Sequence, residues 1–131
     1  MNEHTIRFRV RYEETDQMGV VYYSKYLVWF EMARTEFFRA KGVEYRKIED
    51  EEKIYVPVVE AYCRYRAPLR YDDEVTVTTK LTDVGATRIT FEYEVKKDGE
   101  IKTTGRTKHA FVNSEGSPIA IPEKIKGAFK G

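Results

Sequence analysis

Lys25-Tyr26-Leu27-Val28-Trp29-Phe30-Glu31-Met32-Ala33-Arg34-Thr35-Glu36-Phe37-Phe38-Arg39-Ala40-Lys41 is the one long segment of this 131-residue chain whose apolar residues recur at helical spacing. Tyr26, Trp29, Phe30, Ala33, Phe37 and Ala40 fall at i, i+3/i+4 and i+7, while Glu31, Arg34, Thr35, Glu36 and Arg39 fill much of the remainder. That is a helix with a broad apolar face turned to a core. Ser24 stands where an N-cap belongs and Gly42 where a left-handed residue ends a helix. Outside this segment the period is two. Ahead of it, Ile6, Phe8, Val10 and Tyr12 alternate with Arg7, Arg9 and Arg11, which predicts a strand over 5–12 with one buried face. After it, residues 43–53 are charged and irregular and read as a short helical turn or loop.

Four more strand patterns follow. Residues 54–67 are rich in Val and Tyr, with Pro57 and Pro68 marking the limits or an edge position. Residues 74–83 alternate Val75, Val77, Thr79 and Leu81 with Thr76, Thr78 and Lys80, and 87–96 put Ile89, Phe91, Tyr93 and Val95 on one face. Residues 101–113 continue that face with Thr103, Gly105, Thr107, His109 and Phe111. At Lys97-Asp98-Gly99, a three-residue loop with Gly99 left-handed pairs Val95 with Ile101 and keeps the apolar face continuous. The tail from Ser114 carries Pro118 and Pro122 and ends in a short basic segment. A lone apolar helix needs a sheet to cover it, and successive strands on short turns make an antiparallel meander. The expected class is α+β, a curved antiparallel sheet wrapped around one long central helix, in a single domain over 1–131.

Composition narrows the function. With 23 basic and 22 acidic residues the formal charge is +1, which gives no general attraction for nucleic acid. The chain has one cysteine, Cys63, so neither an intrachain disulfide nor a Cys-x-x-Cys metal site is available. The N-terminus has no hydrophobic leader and the chain no apolar run of membrane-spanning length, so the expectation is a cytoplasmic protein with no membrane span. There is no Gly-x-Ser-x-Gly elbow and no phosphate-cradling glycine loop. Two histidines without clustered partners make a catalytic metal an unexpected solution. His109, in phase with its strand's apolar face, reads as a structural residue.

The chemistry is expected just before the helix, in Tyr12-Glu13-Glu14-Thr15-Asp16-Gln17-Met18-Gly19-Val20-Val21-Tyr22-Tyr23-Ser24-Lys25-Tyr26. Asp16 sits on a glycine-containing loop that leads into a helix start. There, unpaired N–H groups can stabilise negative charge developing on a carbonyl oxygen. By itself such an aspartate more often caps its own turn. The stretch, however, resembles the signature of the 4-hydroxybenzoyl-CoA thioesterase family of the hotdog fold, close to the bacterial small-acyl-CoA thioesterases. Asp16, Gly19 and the pair Tyr22-Tyr23 carry the match, and the element order agrees over roughly 5–125.

The resemblance implies an acyl-CoA thioesterase in which Asp16 attacks the thioester or activates a water that does. It implies that the backbone N–H of Tyr23 is the oxyanion donor. Gly19, Val20, Tyr22 and Tyr26 are then substrate-contacting positions. Glu31, which aligns with an acidic position near the acyl group in the family, is a further candidate, with pairing to Arg34 or Thr35 as its plain alternative. No cofactor is needed, since coenzyme A enters as part of the substrate. Arg64, Arg66, Arg70, Arg106 and Lys108 are candidates for its phosphates, with solvated strand faces as the alternative. The fold family implies a homodimer or homotetramer. Two other readings stand beside this one: a non-catalytic acyl-CoA or lipid-binding module, and hydrolysis of acyl carrier protein thioesters. Many of the bacterial small-acyl enzymes that the stretch resembles carry histidine at the position of Tyr23, so the acyl group is not legible from the sequence. The missing histidine also disfavours a hydratase.

Overall fold

The computed structural model describes residues 2–130. In chain order it has β1 (Glu3–Arg9), α1 (Lys25–Ala40), α2 (Tyr45–Asp50), β2 (Val58–Tyr65), β3 (Glu74–Val84), β4 (Arg88–Lys97), β5 (Glu100–Ala110) and α3 (Glu123–Phe129). The five strands form one antiparallel sheet in the order β1-β3-β4-β5-β2, against which α1 packs. This is the expected hotdog arrangement.

The core forms where the apolar stripe of α1 meets β4 and its neighbours. Trp29, Phe30 and Phe37 are fully buried with Val77, Phe91 and Val95. The Phe30 ring stacks on Tyr93 at 4.2 Å, and Phe37 meets Phe91 edge-on at 5.4 Å. Burying each such ring stabilises the fold by roughly 1.5–3 kcal/mol. Phe30 reaches the sheet because β5 carries Gly105 opposite it: a Cβ there would lie 2.3 Å from Phe30 Cε2. The far end of α1 closes as expected. Gly42 has φ +80°, its N–H donates to the Arg39 carbonyl, and the Val43 N–H donates to that of Phe38, a Schellman arrangement.

Several expectations are corrected. β1 stops at Arg9, and Tyr12–Glu14 form a 3-10 turn with Tyr12 exposed. Ser24 holds the N-cap position of α1 in helical conformation, and its side chain makes no capping hydrogen bond. Ala40 is exposed while Phe38 is buried, because the helix turns its last apolar face onto Phe91 and α3. Arg34, assigned to the polar face, is buried. The basic tail forms α3, whose Ile125 and Phe129 are buried, the latter against Phe37 and Phe38.

The β4–β5 connection is a two-residue turn, not a three-residue loop. Asp98 (φ 52°) and Gly99 (φ 79°) take the paired left-handed conformation of a tight hairpin, and Lys97 faces Glu100. Continuity of the apolar face is restored one step further in. Lys96 pairs with Ile101 but Val95 with Thr103, so Lys102 is bulged. The bulge has a use: the Lys102 carbonyl accepts from the N–H groups of Arg66 (2.9 Å) and Ala67 (3.1 Å), tying down the chain after β2.

Candidate functional site

The segment between β1 and α1 is held from below by a buried acid. Glu14 accepts hydrogen bonds from the Arg11 N–H through Oε1 and from Trp29 Nε1 through Oε2, each at 2.8 Å. Its own carbonyl accepts from the Tyr22 N–H at 2.9 Å. The 3-10 turn and the turn into α1 are thereby fastened to the same indole, which sits in the core.

Asp16 stands on the loop that this anchor supports. Its Oδ1 accepts from the N–H groups of Met18 (2.8 Å) and Val20 (3.4 Å), while its backbone pairs with Val20 and Gly19. The loop closes on Gly19 at φ +80°, a conformation other residues adopt only with strain. Asp16 has no ion-pair partner, and its Oδ2 has no hydrogen-bond partner among the described residues. One carboxylate oxygen is therefore used to fix the side chain, and the other is left available.

Asp16 lines an open pocket of about 360 Å³. The other walls are residues 20–23, Tyr26 and residues 65–68. Val20, Tyr22, Tyr23 and Tyr26 are thus brought to Asp16. Tyr22 and Tyr23 are exposed, with ring centroids 4.7 Å apart. The neighbouring Tyr23 pushes the Tyr22 hydroxyl above its ordinary pKa, and burial does the same for Tyr26, so both stay protonated near neutrality. The Tyr23 N–H has no acceptor among the described residues, and its carbonyl accepts from the Tyr65 hydroxyl at 2.9 Å. Tyr65 thereby holds the Tyr23 carbonyl, one peptide on from that N–H, at the mouth of α1. It comes from the end of β2, more than forty positions along the chain, and nothing in its local sequence marks it for the task.

The remaining candidates are placed as follows. Gly19 shapes the loop without lining the pocket, and a Cβ on it would sit 3.7 Å from Arg70 Nη1. Glu31 lies away from Asp16, exposed on α1, where it accepts from the Thr35 hydroxyl at 3.1 Å. Arg66 reaches the Asp16 pocket. Arg106 lies over the Tyr62 ring, and Lys108 pairs with Glu60 at 3.8 Å. His109 is fully buried between Thr107 Oγ1 (2.8 Å) and the Val56 carbonyl (3.2 Å), the structural role expected of it. Burial, and then the charge of Arg34, lower its pKa to about 4, so it is neutral.

A second and larger cavity of about 740 Å³ opens between α1, α2 and residues 56–58. Arg34 and Glu31 both line it. The sequence offered no sign of this cavity, because its walls come from three separate stretches of chain.

Residues 10–129 match the thioesterase-like superfamily. This chain belongs to it. The acyl-CoA thioesterase YbgC of Haemophilus influenzae is 31% identical over 98% of this chain and 95% of its own. A crystal structure of an Aquifex aeolicus protein superposes with a TM-score of 0.92 at 36% identity, covering 96% and 98% of the two chains. DHNA-CoA thioesterase of Staphylococcus aureus does so with a TM-score of 0.93 at 29% identity, covering 99% and 90%. The thioester-hydrolase class expected from the loop and the hotdog fold expected from the element order both stand in this membership.

Proposed function

We propose that this member of the superfamily hydrolyses acyl-CoA thioesters through Asp16. The observation that carries the reading is the pairing of an uncommitted carboxylate oxygen with an unpaired amide, that of Tyr23, on the walls of one pocket at the start of α1. The thioester carbonyl lies between them. Asp16 Oδ2 attacks the carbonyl carbon or takes a proton from a water that does, and the oxygen's growing charge is met by the Tyr23 N–H and the helix start. Collapse releases coenzyme A as the thiol, and water supplies the hydroxyl of the free acid. Only water and substrate are consumed. Val20, Tyr22 and Tyr26 contact the acyl group, Gly19 keeps the loop close to it, and Arg66, on the pocket wall, is the candidate for a coenzyme phosphate.

The working unit is a homodimer joined through β2. That strand pairs with β5 on one side only, and Val58, Val59, Tyr62 and Tyr65 are exposed along it. A two-fold axis through the free edge would extend the sheet across two protomers. Antiparallel pairing of two copies sets the end of one β2, which leads into the Asp16 pocket wall, beside the start of the other, which follows the Arg34 cavity wall. No helix among the described residues is long and apolar enough to cross a membrane, and the lone free Cys63 suits a reducing cytoplasm.

A thiol-trapping dye read against a panel of short-chain, long-chain and aromatic acyl-CoAs tests the reaction. Release of thiol that disappears in Asp16→Asn is expected. Binding of these esters without release would establish a non-catalytic module instead, and faster release from acyl carrier protein would change the carrier.

A further inference from the structure

Arg34 is an anomaly that the proposed reaction does not use. The residue is buried, at 8% exposure, yet no carboxylate lies within ion-pairing distance of it among the described residues. Its neighbours are neutral hydroxyls, that of Tyr45 and that of Tyr93, which accepts from Nη1 at 3.4 Å. That hydroxyl is in turn engaged with Thr107, and Thr107 with His109, so the neighbouring acceptors are neutral and already shared. A buried guanidinium with no anion beside it is costly, because the low-dielectric surroundings replace water without replacing its countercharge. No unbonded Arg34 nitrogen is sealed off in the interior: the guanidinium faces the 740 Å³ cavity.

The cavity's other charges decide what it accepts. On its rim Lys47 pairs with Glu44, Arg46 with Asp50, and Arg39 with Glu36, while Glu31, Glu49 and Glu51 have no basic partner among the described residues. Such a rim repels a diphosphate or any multiply charged group, whereas a single carboxylate can pass to the one cation inside. The inner wall, with Tyr45, Val56, Pro57 and Val58, suits a short hydrocarbon stem.

We propose that this cavity takes the far carboxylate of a dicarboxylic acyl group, bound by Arg34, so that the enzyme favours acyl-CoAs ending in a carboxylate over those ending in a methyl. The inference rests on the thioesterase reading and on the dimer, which brings the Asp16 pocket of one protomer beside the Arg34 cavity of the other. Arg34 acts as a specificity residue and touches no reacting atom.

The test compares succinyl-, glutaryl- and adipyl-CoA with the methyl-ended acyl-CoAs of equal carbon number, using the full-length chain. At least one dicarboxylic ester is expected to exceed its counterpart tenfold or more in kcat/KM, chiefly through KM. In Arg34→Met that preference should vanish while the methyl-ended esters stay within threefold of wild type. Arg34→Lys, which keeps the charge, should retain part of it. If Arg34→Met does not fold, the wild-type ratio decides alone. Turnover of both series with no carboxylate preference overturns this inference and leaves the thioesterase standing. If neither series is hydrolysed, the reaction has failed, and the anion site is judged by free glutarate. Glutarate should raise the melting temperature of wild type and not of Arg34→Met, and an equal or absent shift in the two would overturn the site.

Discussion

The two cavities flanking α1 are built on opposite plans. The Asp16 pocket is mostly local: its acid, its glycine turn and its unpaired amide all come from the one stretch 16–23, braced by backbone hydrogen bonds and by one buried carboxylate, Glu14. The Arg34 cavity draws on the middle of α1, on α2 and on the approach to β2, and behind its wall Arg34 joins a buried hydrogen-bond chain through Tyr93 of β4 and Thr107 and His109 of β5. A local site can be moved to another scaffold as a motif and is recognisable as one. A site assembled across the fold can change its ligand by a single substitution without any motif changing. On the proposed reading, the reaction is set at the start of the helix and the preference for a carboxylate-ended acyl group at its middle.

The comparison can be broken most directly at the loop. Asp16→Asn should lower kcat on the best acyl-CoA by about a hundredfold or more, the usual range for losing a positioned acid or base. Its urea midpoint should stay close to wild type, since Oδ1 of the amide still accepts from Met18 and Val20. A hundredfold loss accompanied by an unfolding shift of similar energy would mean that the loop merely needs its acid to fold.

The next effect belongs to the buried hydrogen-bond chain behind Arg34. The His109 pKa is lowered from the ordinary 6.5 to about 4. The unfolded chain therefore takes up this proton first as pH falls, and stability from the neutral ring is complete above about pH 6.5. It is lost progressively down to about pH 4, by roughly 3 kcal/mol at most. Urea midpoints measured between pH 7 and 4 should fall more steeply for wild type than for His109→Gln. Parallel slopes would remove His109 as the sensitive group.

A smaller change tests the brace. Glu14→Gln keeps the shape but weakens the charged acceptor of Trp29 Nε1 and the Arg11 N–H, and about 2 kcal/mol of stability should go. The loss should shrink when Trp29 is already Phe, a coupling of about 1 kcal/mol in a double-mutant cycle. Strict additivity would deny that the two side chains act together. The smallest effect is expected at Tyr23, where alanine removes an exposed ring but retains the amide. Activity should remain within about tenfold of wild type, because backbone donors survive side-chain truncation. A Tyr23→Ala loss as deep as that of Asp16→Asn would shift the chemistry from the amide to the phenol.

Legibility followed the same division. The period change at α1 and the alternation of β3, β4 and β5 were readable because each reports a face on one contiguous element. Gly42 was readable because a helix end has its own local chemistry. The two-residue turn at Asp98-Gly99 was misjudged because the bulge at Lys102, which corrects the register, is stabilised by a distant segment at residues 66–67. Arg34 was misplaced because charge is a good guide to the solvent face except where a cavity reaches inward. Tyr65, which secures the Tyr23 carbonyl, lies on an exposed edge strand with no marker of its own.

By itself, then, the sequence determined the α+β hotdog architecture, the long helix and the loop that presents Asp16 to the helix start. Those features follow from hydrophobic period and backbone conformational preference, which act between near neighbours along the chain. Only the tertiary structure decided which oxygen of Asp16 is uncommitted, that Glu14 and Tyr65 hold the loop, and that Arg34 lies uncompensated inside a cavity. Burial and hydrogen-bond pairing depend on what folding brings into contact from far along the chain, and no local pattern encodes them.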